Sequence, residues 1–299
     1  MKMLLIYNPH SGKEQFKTKL NEIIDLYTKE GYTLTVHPTQ SAKDATAFVL
    51  AEGGAYDKIV CSGGDGTLSE ILNGLMPLSV RPTVGYIPSG TTNDFAASLC
   101  LSKDIMTAAQ DVIAATPFAC DVGTFNQRAF AYIAAFGLFT DVSYQTPQEY
   151  KNLLGKMAYL LEGAKRLGSI PAYRLTITTE TETFTDDYIY GMVTNSTSVG
   201  GFKPAKDQNI LLDDGLFEGL FAKRPKNPAE THALLQCVLS ATPDPAYLQT
   251  FRARKIVIES AEPLDWTLDG EYGGTTTRAT IENHKQAIRI MANLAQTQV

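Results

Sequence analysis

The sequence has few cysteines, few charged residues and no long apolar run. Its four cysteines lie far apart and form no Cys-x-x-Cys pair, which argues against a zinc ribbon or a dithiol redox motif. The longest apolar run spans residues 129 to 139, whereas a membrane-spanning helix needs about 20 residues. The opening run, Met3 to Tyr7, is shorter than the roughly 7 to 15 apolar residues of a signal peptide. We therefore expect a cytoplasmic protein with reduced thiols.

Positive charge is also scarce. The 26 Lys and Arg residues face 32 Asp and Glu residues, so the net charge is −6. Proteins that hold duplex nucleic acid need a basic surface, and we therefore expect no nucleic-acid partner. Any anionic ligand must instead meet a local feature. The length of 299 residues is enough for two domains at about 150 residues each.

The first part of the chain alternates short apolar runs with segments of helical periodicity, a pattern typical of crossover units on a parallel sheet. Buried strands are predicted at Met3 to Tyr7, Thr33 to His37, Lys58 to Cys61 and Thr83 to Ile87. One helix face is formed by apolar residues at helical spacing, namely Phe16, Leu20, Ile23, Ile24 and Tyr27. Gly31 is placed to end that helix, and a second helix is predicted over Asp44 to Glu52.

Near Phe118 the pattern changes to β-branched and aromatic residues that alternate with polar ones, as in antiparallel sheets. Strands are predicted at Arg174 to Thr179, Thr183 to Thr194, Gly215 to Ala222, Arg254 to Glu259, Leu264 to Leu268, Arg278 to Glu282 and Ala287 to Met291. Helices are predicted over Gln148 to Leu167 and over Pro228 to Ser240. The sequence thus indicates an α/β domain followed by a β-rich domain, with the boundary near residue 120.

Three of the predicted strands end in turns rich in glycine and small polar residues. The turns span Asn8 to Lys13, Ser62 to Thr67 and Pro88 to Asp94. A single glycine after a strand is more often an ordinary turn residue. Amides and helix N-termini at the carboxyl ends of parallel strands accept anions, so three such turns together favour one shared anion site. None of them has the spacing of the two familiar phosphate-binding loops.

Asp65 stands among glycines whose amides are expected to face phosphate. A carboxylate there would repel a polyphosphate unless a divalent cation lay between them, which suits phosphoryl transfer better than hydride transfer. Asp94, in the matching turn after the next strand, is placed to serve the same cation. The alternative is that both aspartates cap the helices that follow, a role that Asp favours and that is compatible with cation binding.

A second acidic motif lies near the carboxyl end of the chain. Asp269 and Glu271 flank a glycine, so their carboxylates are able to point together into one site, where one of them would take the proton of an attacking hydroxyl. On composition alone, an Asp-Gly-Glu segment is more often an ordinary hairpin turn.

Taken together, these motifs resemble the diacylglycerol kinase catalytic-domain family, and most closely its soluble bacterial members. The matching segments run in family order over nearly the whole chain: Tyr7 to Pro9, Ser11 to Lys13, Gly63 to Thr67, Pro88 to Phe95, Leu211 to Gly215 and Asp269 to Gly274. The Gly-Gly-Asp-Gly-Thr segment also occurs in related nicotinamide-nucleotide and phosphofructokinase families. The Asn-Asp-Phe segment and the late Asp-Gly-Glu-Tyr-Gly-Gly segment narrow the resemblance to lipid kinases.

The resemblance implies transfer of the γ-phosphoryl group of ATP to diacylglycerol, which yields phosphatidic acid, with Mg²⁺ as cofactor. It implies a phosphofructokinase-like nucleotide domain over residues 1–120, to which residues from about 286 to 299 return, and a β-sandwich acceptor domain over 121–285. The ATP-binding residues that it implies are Asn8, Pro9, His10, Ser11, Gly12, Lys13, Thr39, Gly63, Gly64, Asp65, Gly66, Thr67, Leu68, Ser69 and Thr91.

The same resemblance assigns roles to single side chains. Asp65 and Asp94 would hold the cation and its waters, and Lys13 would counter phosphate charge. Glu271, supported by Asp269, would be the general base. A structural magnesium ion would take its ligands from three residues, with the two leucines contributing backbone carbonyls: Leu211, Asp214 and Leu216.

The sequence departs from the family pattern at two positions. Ala97 stands where members usually carry an arginine, and Ser69 replaces a common asparagine. These changes put affinity in question more than reaction class. Two alternatives stay open at this point: a kinase for another lipid or nucleoside-like alcohol, and a nucleotide-binding regulator without turnover.

The predicted helix over 148–167 bears on membrane contact. It has one apolar face, formed by Leu153, Met157, Leu160, Leu161 and Ala164, and four basic residues beside or behind it, Lys151, Lys156, Lys165 and Arg166. Such a helix could dock peripherally on anionic lipid at the inner face of the membrane. The alternative is a core-packed helix with a solvated basic face. A symmetric dimer is also expected from the family and from the general frequency of such pairs.

Overall fold

The helices and strands of the computed structural model follow the two patterns of the sequence, first alternating strands and helices and then mainly strands. The structure describes residues 1–12, 15–137, 171–196, 210–240 and 242–294. In chain order the strands are β1 (Lys2–Tyr7), β2 (Thr33–Pro38), β3 (Lys58–Gly63), β4 (Thr83–Pro88), β5 (Thr116–Phe125), β6 (Arg128–Phe130), β7 (Ile133–Gly137), β8 (Tyr173–Thr178), β9 (Thr183–Thr194), β10 (Phe217–Lys223), β11 (Leu248–Ala253), β12 (Lys255–Leu268) and β13 (Glu271–Ala292). The described helices are α1 (Gln15–Lys29), α2 (Asp44–Glu52), α3 (Asp65–Leu75), α4 (Asp94–Ser98), α5 (Ile105–Ala114) and α6 (Pro228–Ser240).

Contacts divide the chain into two units. The first comprises Met1–Val122, Arg128–Ala131 and Lys285–Val299. The second comprises Gly123–Gln127 and Tyr132–His284. Over the described residues the first unit is mixed α/β and the second is rich in β-strands, which confirms the coarse fold class predicted from the sequence.

A parallel sheet forms the centre of the first unit, in the spatial order β4-β3-β1-β2. The end of β13 joins this sheet beside β4, where Ile290 pairs in parallel with Val84. On one face α1 and α5 cover Met3, Leu5 and Val60. Of the predicted apolar face of α1, Phe16, Ile23 and Tyr27 are buried, and Leu20 and Ile24 are half-buried. Gly31, with φ of +82°, follows α1 as the expected C-terminal glycine.

The second unit contains an antiparallel sheet in the order β11-β10-β9-β7-β12-β13, and β8 pairs with both β12 and β9. Several strands that the sequence predicts as separate are continuous. In β12 the register shifts between Glu259 and Leu264, and this bulge accommodates Pro263, which lacks a backbone N–H for the ladder. The two predicted strands at 278–282 and 287–291 are likewise parts of β13.

No helix within the described ranges is long and apolar enough to cross a membrane. The predicted helix over 148–167, with its four basic residues, lies outside the described residues.

Candidate functional site

The four parallel strands of the first unit end at one edge of the sheet. Tyr7 is in register with Pro38 and with Ser62, and Gly63 is in register with Pro88. Backbone hydrogen bonds join the segments that follow. The Asn8 N–H donates to the Ser62 carbonyl at 2.9 Å, and the Thr39 N–H donates to the Tyr7 carbonyl at 2.9 Å. The predicted turns therefore begin side by side.

The glycines of these turns allow their backbones to touch. A Cβ added to Gly90 would lie 2.5 Å from Gly64 Cα, and one added to Gly12 would lie 2.3 Å from the Ser89 carbonyl oxygen. The Ser89 N–H also donates to the Gly63 carbonyl at 2.9 Å. The structure thus brings the three glycine-bearing turns together at the edge where parallel sheets bind anions.

We expect Gly90→Ala to lower ATP affinity at least about tenfold and to destabilise the protein by about 1–3 kcal/mol, as overpacking of a tight site does. The added Cβ meets backbone, which has no rotamer to escape into. Gly54→Ala is the matched control, because nothing lies within 4 Å of a Cβ there. Calorimetric ATP titration and thermal unfolding of both variants measure the effect. Equal ATP affinity in the two variants would contradict this account of the turns.

Asp65 is the first residue of α3 and is only 7% exposed. Its Oδ2 accepts the backbone N–H of Asp94 at 2.9 Å, and its Oδ1 accepts from the Tyr86 hydroxyl at 3.3 Å. Asp65 therefore satisfies the first amide of α4, one of the orphan donors of a helix N-terminus. It thereby joins the turn after β3 to the turn after β4.

Tyr86 and Asn93 belong to this network, and neither was predicted as a site residue. The buried Tyr86 hydroxyl lies 3.4 Å from Asn93 Oδ1 as well as near Asp65. Asn93 adopts φ of 54°, and its side chain accepts the Gly90 N–H at 3.0 Å and donates to the Gly90 carbonyl at 2.8 Å. Tyr86 reads as an apolar strand residue in the sequence, so only its place beside Asp65 identifies it.

The other predicted nucleotide residues occupy different environments. His10, Gly12 and Thr91 are exposed, whereas Leu68 is fully buried in the core. Ser69 is 6% exposed, and its hydroxyl lies 3.5 Å from the Ala129 carbonyl. Lys13 lies outside the described residues. Asn8, Pro9, Ser11, Thr39, Gly64 and Gly66 are partly exposed at the sheet edge, and Gly63, Thr67 and Asp94 are buried there.

In the second unit, Asp269 and Gly270 form the two-residue turn between β12 and β13. Both have positive φ, 51° and 84°, as the hairpin geometry requires. Asp269 is 4% exposed, and its Oδ1 accepts the backbone N–H groups of Tyr132 at 3.0 Å and Ile133 at 3.2 Å. Glu271, in contrast, is exposed. The two carboxylates therefore have different environments: Asp269 is hydrogen-bonded within the turn region, and Glu271 is exposed to solvent.

A row of neighbouring residues crosses the sheet of the second unit from this turn. The Asp269 N–H donates to the Ile133 carbonyl at 3.0 Å, and Ile133 is in register with Thr194. Glu218 is in register with Thr194 on one side and with Arg252 on the other. The Asp-Gly-Glu turn and the predicted cation loop thus lie along one end of the same sheet.

The predicted cation loop precedes β10. Asp214 Oδ1 accepts the Leu216 N–H at 2.9 Å, and its Oδ2 forms an ion pair with Arg252. Arg252 Nε also contacts Glu218 Oε1 at 3.2 Å. Burial raises the pKa of Glu218 to about 7, Arg252 opposes this rise and Asp214 adds to it. The Leu216 carbonyl accepts from the Asn283 side-chain amide at 3.1 Å, and Leu211 is exposed.

The loop offers the hard oxygen ligands that magnesium prefers. Among the described residues no three His, Cys, Asp or Glu side chains gather around one point, so a cation here must also use carbonyl and amide oxygens. Glu218 Oε2 is buried and has no hydrogen-bond partner within the described ranges. An unpaired buried carboxylate oxygen two residues from Leu216 fits a hydrated magnesium ion, with Arg252 as a competing positive charge on Asp214.

Known proteins of one family are similar to this chain. Residues 2–125 match the family model described as diacylglycerol kinase catalytic domain. A diacylglycerol kinase of Bacillus subtilis (strain 168) is 36% identical over 273 residues, which cover 90% of this chain and 89% of that protein. The chain belongs to the diacylglycerol kinase family. It is therefore a kinase.

Further members of the diacylglycerol kinase family are similar over most of the chain. A diacylglycerol kinase of Staphylococcus aureus (strain MRSA252) is 35% identical over 273 residues, covering 90% of this chain and 86% of that protein. A crystal structure of a diacylglycerol kinase from Bacillus anthracis strain Sterne superposes with a TM-score of 0.76 at 25% identity. It covers 98% of this chain and 97% of that chain. Both units of this diacylglycerol kinase family member therefore have counterparts in the known fold.

Proposed function

We propose that this protein transfers the γ-phosphoryl group of ATP to the primary hydroxyl of diacylglycerol and so produces phosphatidic acid. The observation that carries the proposal is the convergence of three glycine-bearing turns, with Asp65 buried between two of them, in a chain of the diacylglycerol kinase family. Phosphoryl transfer requires mainly positioning and electrostatic stabilisation, which backbone amides and fixed carboxylates supply.

In this proposal the first unit binds the nucleotide at its sheet edge. The N-terminus of α3 and the turn amides face the phosphates, as helix N-termini do for anions. Asp65 is fixed by Asp94 N–H and the Tyr86 hydroxyl, so its charge is held without any rearrangement during the reaction. The parallel order β4-β3-β1-β2 supports a phosphofructokinase-like nucleotide domain, and the antiparallel second unit supports a β-sandwich acceptor domain.

The acceptor hydroxyl must lose its proton as it attacks. Glu271 is the exposed carboxylate of the Asp-Gly-Glu turn, and we assign it that proton. Asp269, bound to the amides of Tyr132 and Ile133, holds the turn in place and is a positioning residue.

Magnesium enters the proposal at two places. Asp65 and Asp94 would hold the cation that accompanies ATP, and Leu211, Asp214 and Leu216 would hold a structural cation. When bound, magnesium would neutralise charge that develops on the phosphoryl oxygens. Contact with the inner face of the membrane gives the enzyme access to its lipid acceptor.

The direct test is an assay of the purified protein with γ-labelled ATP and a panel of lipid alcohols in mixed micelles, with thin-layer separation of the products. We expect labelled phosphatidic acid in the presence of magnesium and loss of the product when the metal is chelated. Preferential labelling of another lipid alcohol would replace the acceptor and keep the reaction class. ATP binding without turnover on any acceptor would overturn the proposal.

A further inference from the structure

Unpaired polar atoms collect at one end of the second unit. Six buried side-chain nitrogen or oxygen atoms lack a hydrogen-bond partner in the part of the chain that the structure describes, and four of them belong to Asn195, Glu218 and Asn283. The other two, on Tyr27 and Trp266, are the polar tips of core aromatic residues. An unpaired buried polar group costs about 1–3 kcal/mol, and native proteins usually satisfy such groups.

Asn283 and Glu218 lie beside the predicted cation loop. Asn283 Nδ2 donates to the Leu216 carbonyl at 3.1 Å, which leaves its own Oδ1 unpaired. Glu218 follows Leu216 by two residues and is in register with Thr194, directly before Asn195. All three are at least nine-tenths buried: Asn195 is 0%, Asn283 is 1% and Glu218 is 7% exposed.

Charge at this place is also unbalanced. Asp214 and Glu218 supply two carboxylates, and Arg252 contacts both of them with one guanidinium. In the part of the chain that the structure describes, Glu218 Oε2 has no hydrogen-bond partner. A buried charge without compensation is strongly unfavourable. Both the unpaired oxygens and the excess charge call for a positive ligand, and they disfavour an anion such as phosphate.

We propose that Glu218 and Asn283 form the inner wall of the structural cation site, so that Glu218 gives it a second carboxylate and the Asn283 amide oxygen holds the water shell of the ion. This inference rests on the proposed function, because it extends the site assigned to Leu211, Asp214 and Leu216. Magnesium keeps several waters when it binds to proteins, and buried amide oxygens are suitable acceptors for them. In this proposal Glu218 binds the structural cation and takes no part in the phosphoryl-transfer step.

The experiment measures cation binding in the absence of ATP and lipid. Mn²⁺ serves as the probe, with binding followed by electron paramagnetic resonance and thermal unfolding followed in MgCl₂ against NaCl of equal ionic strength. For wild type we expect Mn²⁺ binding and a rise of the unfolding midpoint with Mg²⁺. Glu218→Gln should weaken Mn²⁺ binding by about 10- to 100-fold, and Glu262→Gln, an exposed residue of β12, should not.

Two further variants keep the test decisive. Glu52→Gln removes an exposed carboxylate of the first unit and should leave this Mn²⁺ binding unchanged. Asn283→Asp adds a charge to the inner wall and should tighten Mn²⁺ binding by about tenfold, even if Glu218→Gln fails to fold. Unchanged Mn²⁺ affinity in Asn283→Asp and in a folded Glu218→Gln would overturn the inference, as would a wild-type protein without any cation response, whose unpaired atoms then hold water only. Since neither ATP nor lipid is present, these outcomes do not depend on kinase activity.

Discussion

Asp65→Asn is expected to slow phosphoryl transfer on the order of 1,000-fold while the protein stays folded and still binds ATP. Asparagine keeps an oxygen that can accept the Asp94 N–H, so the link between the turns survives. It removes the negative charge that, in the proposed function, would hold the cation beside the phosphates, and such charge stabilisation contributes several kcal/mol in phosphoryl transfer. Single-turnover rates with labelled ATP and calorimetric ATP affinity separate the two effects.

Asp65→Ala is the informative contrast. It removes both acceptor oxygens and leaves the first amide of α4 and the Tyr86 hydroxyl without this partner, in a site that is 7% exposed. We expect it to lower the free energy of unfolding by about 1–3 kcal/mol in addition to the loss of rate. If Asp65→Asn turned over at a near wild-type rate, the catalytic role of Asp65 would be rejected.

The second large effect is expected at Glu271. Glu271→Gln should lower kcat about 100- to 10,000-fold, the range in which positioned general bases contribute, with the KM for ATP unchanged. Because Glu271 is exposed, the unfolding midpoint of the Glu271→Gln variant should equal that of wild type. Steady-state kinetics with diacylglycerol in mixed micelles give kcat and KM separately.

The Asp269→Ala variant distinguishes the proposed general base, Glu271, from the proposed positioning residue, Asp269. Asp269 accepts two backbone amides while it is buried, so its removal should lower the free energy of unfolding as well as the rate. Glu262→Gln is the exposed control in the same unit. A loss of rate in Asp269→Ala without any loss of stability, combined with normal turnover by Glu271→Gln, would transfer the base role from Glu271 to Asp269.

Local sequence patterns predicted most helices and strands of the first unit. Helical spacing predicted α1, in which Phe16, Ile23 and Tyr27 of the apolar face are buried, and α2 has the predicted bounds, Asp44–Glu52. The glycine turns could be placed at one edge because parallel strands end on the same side. Turn chemistry also predicted the hairpin at Asp269, since Asp-Gly is a strong hairpin signal.

What the sequence could not provide is the set of partners that are distant along the chain. Asp269 accepts hydrogen bonds from the backbone amides of residues 132 and 133, and the Asn283 side-chain amide donates to the carbonyl of Leu216. Tyr86 and Glu218 read as ordinary strand residues, because their meaning depends on which strands lie beside them. Such cross-strand pairs are fixed by tertiary register, which short-range periodicity does not encode.

The last strand, β13, completes the sheet of the first unit, so this sheet is finished only late in synthesis. β13 begins in the second unit and ends beside β4, where Ile290 pairs with Val84. During synthesis at about 5–20 residues per second, this pairing must wait roughly 10–40 seconds after β4 has left the ribosome. Until then β4 is an open sheet edge, the kind that pairs with other chains and starts aggregation. The first unit is therefore the first to be translated and among the last to be completed, and a chain cut before residue 290 would keep that edge exposed.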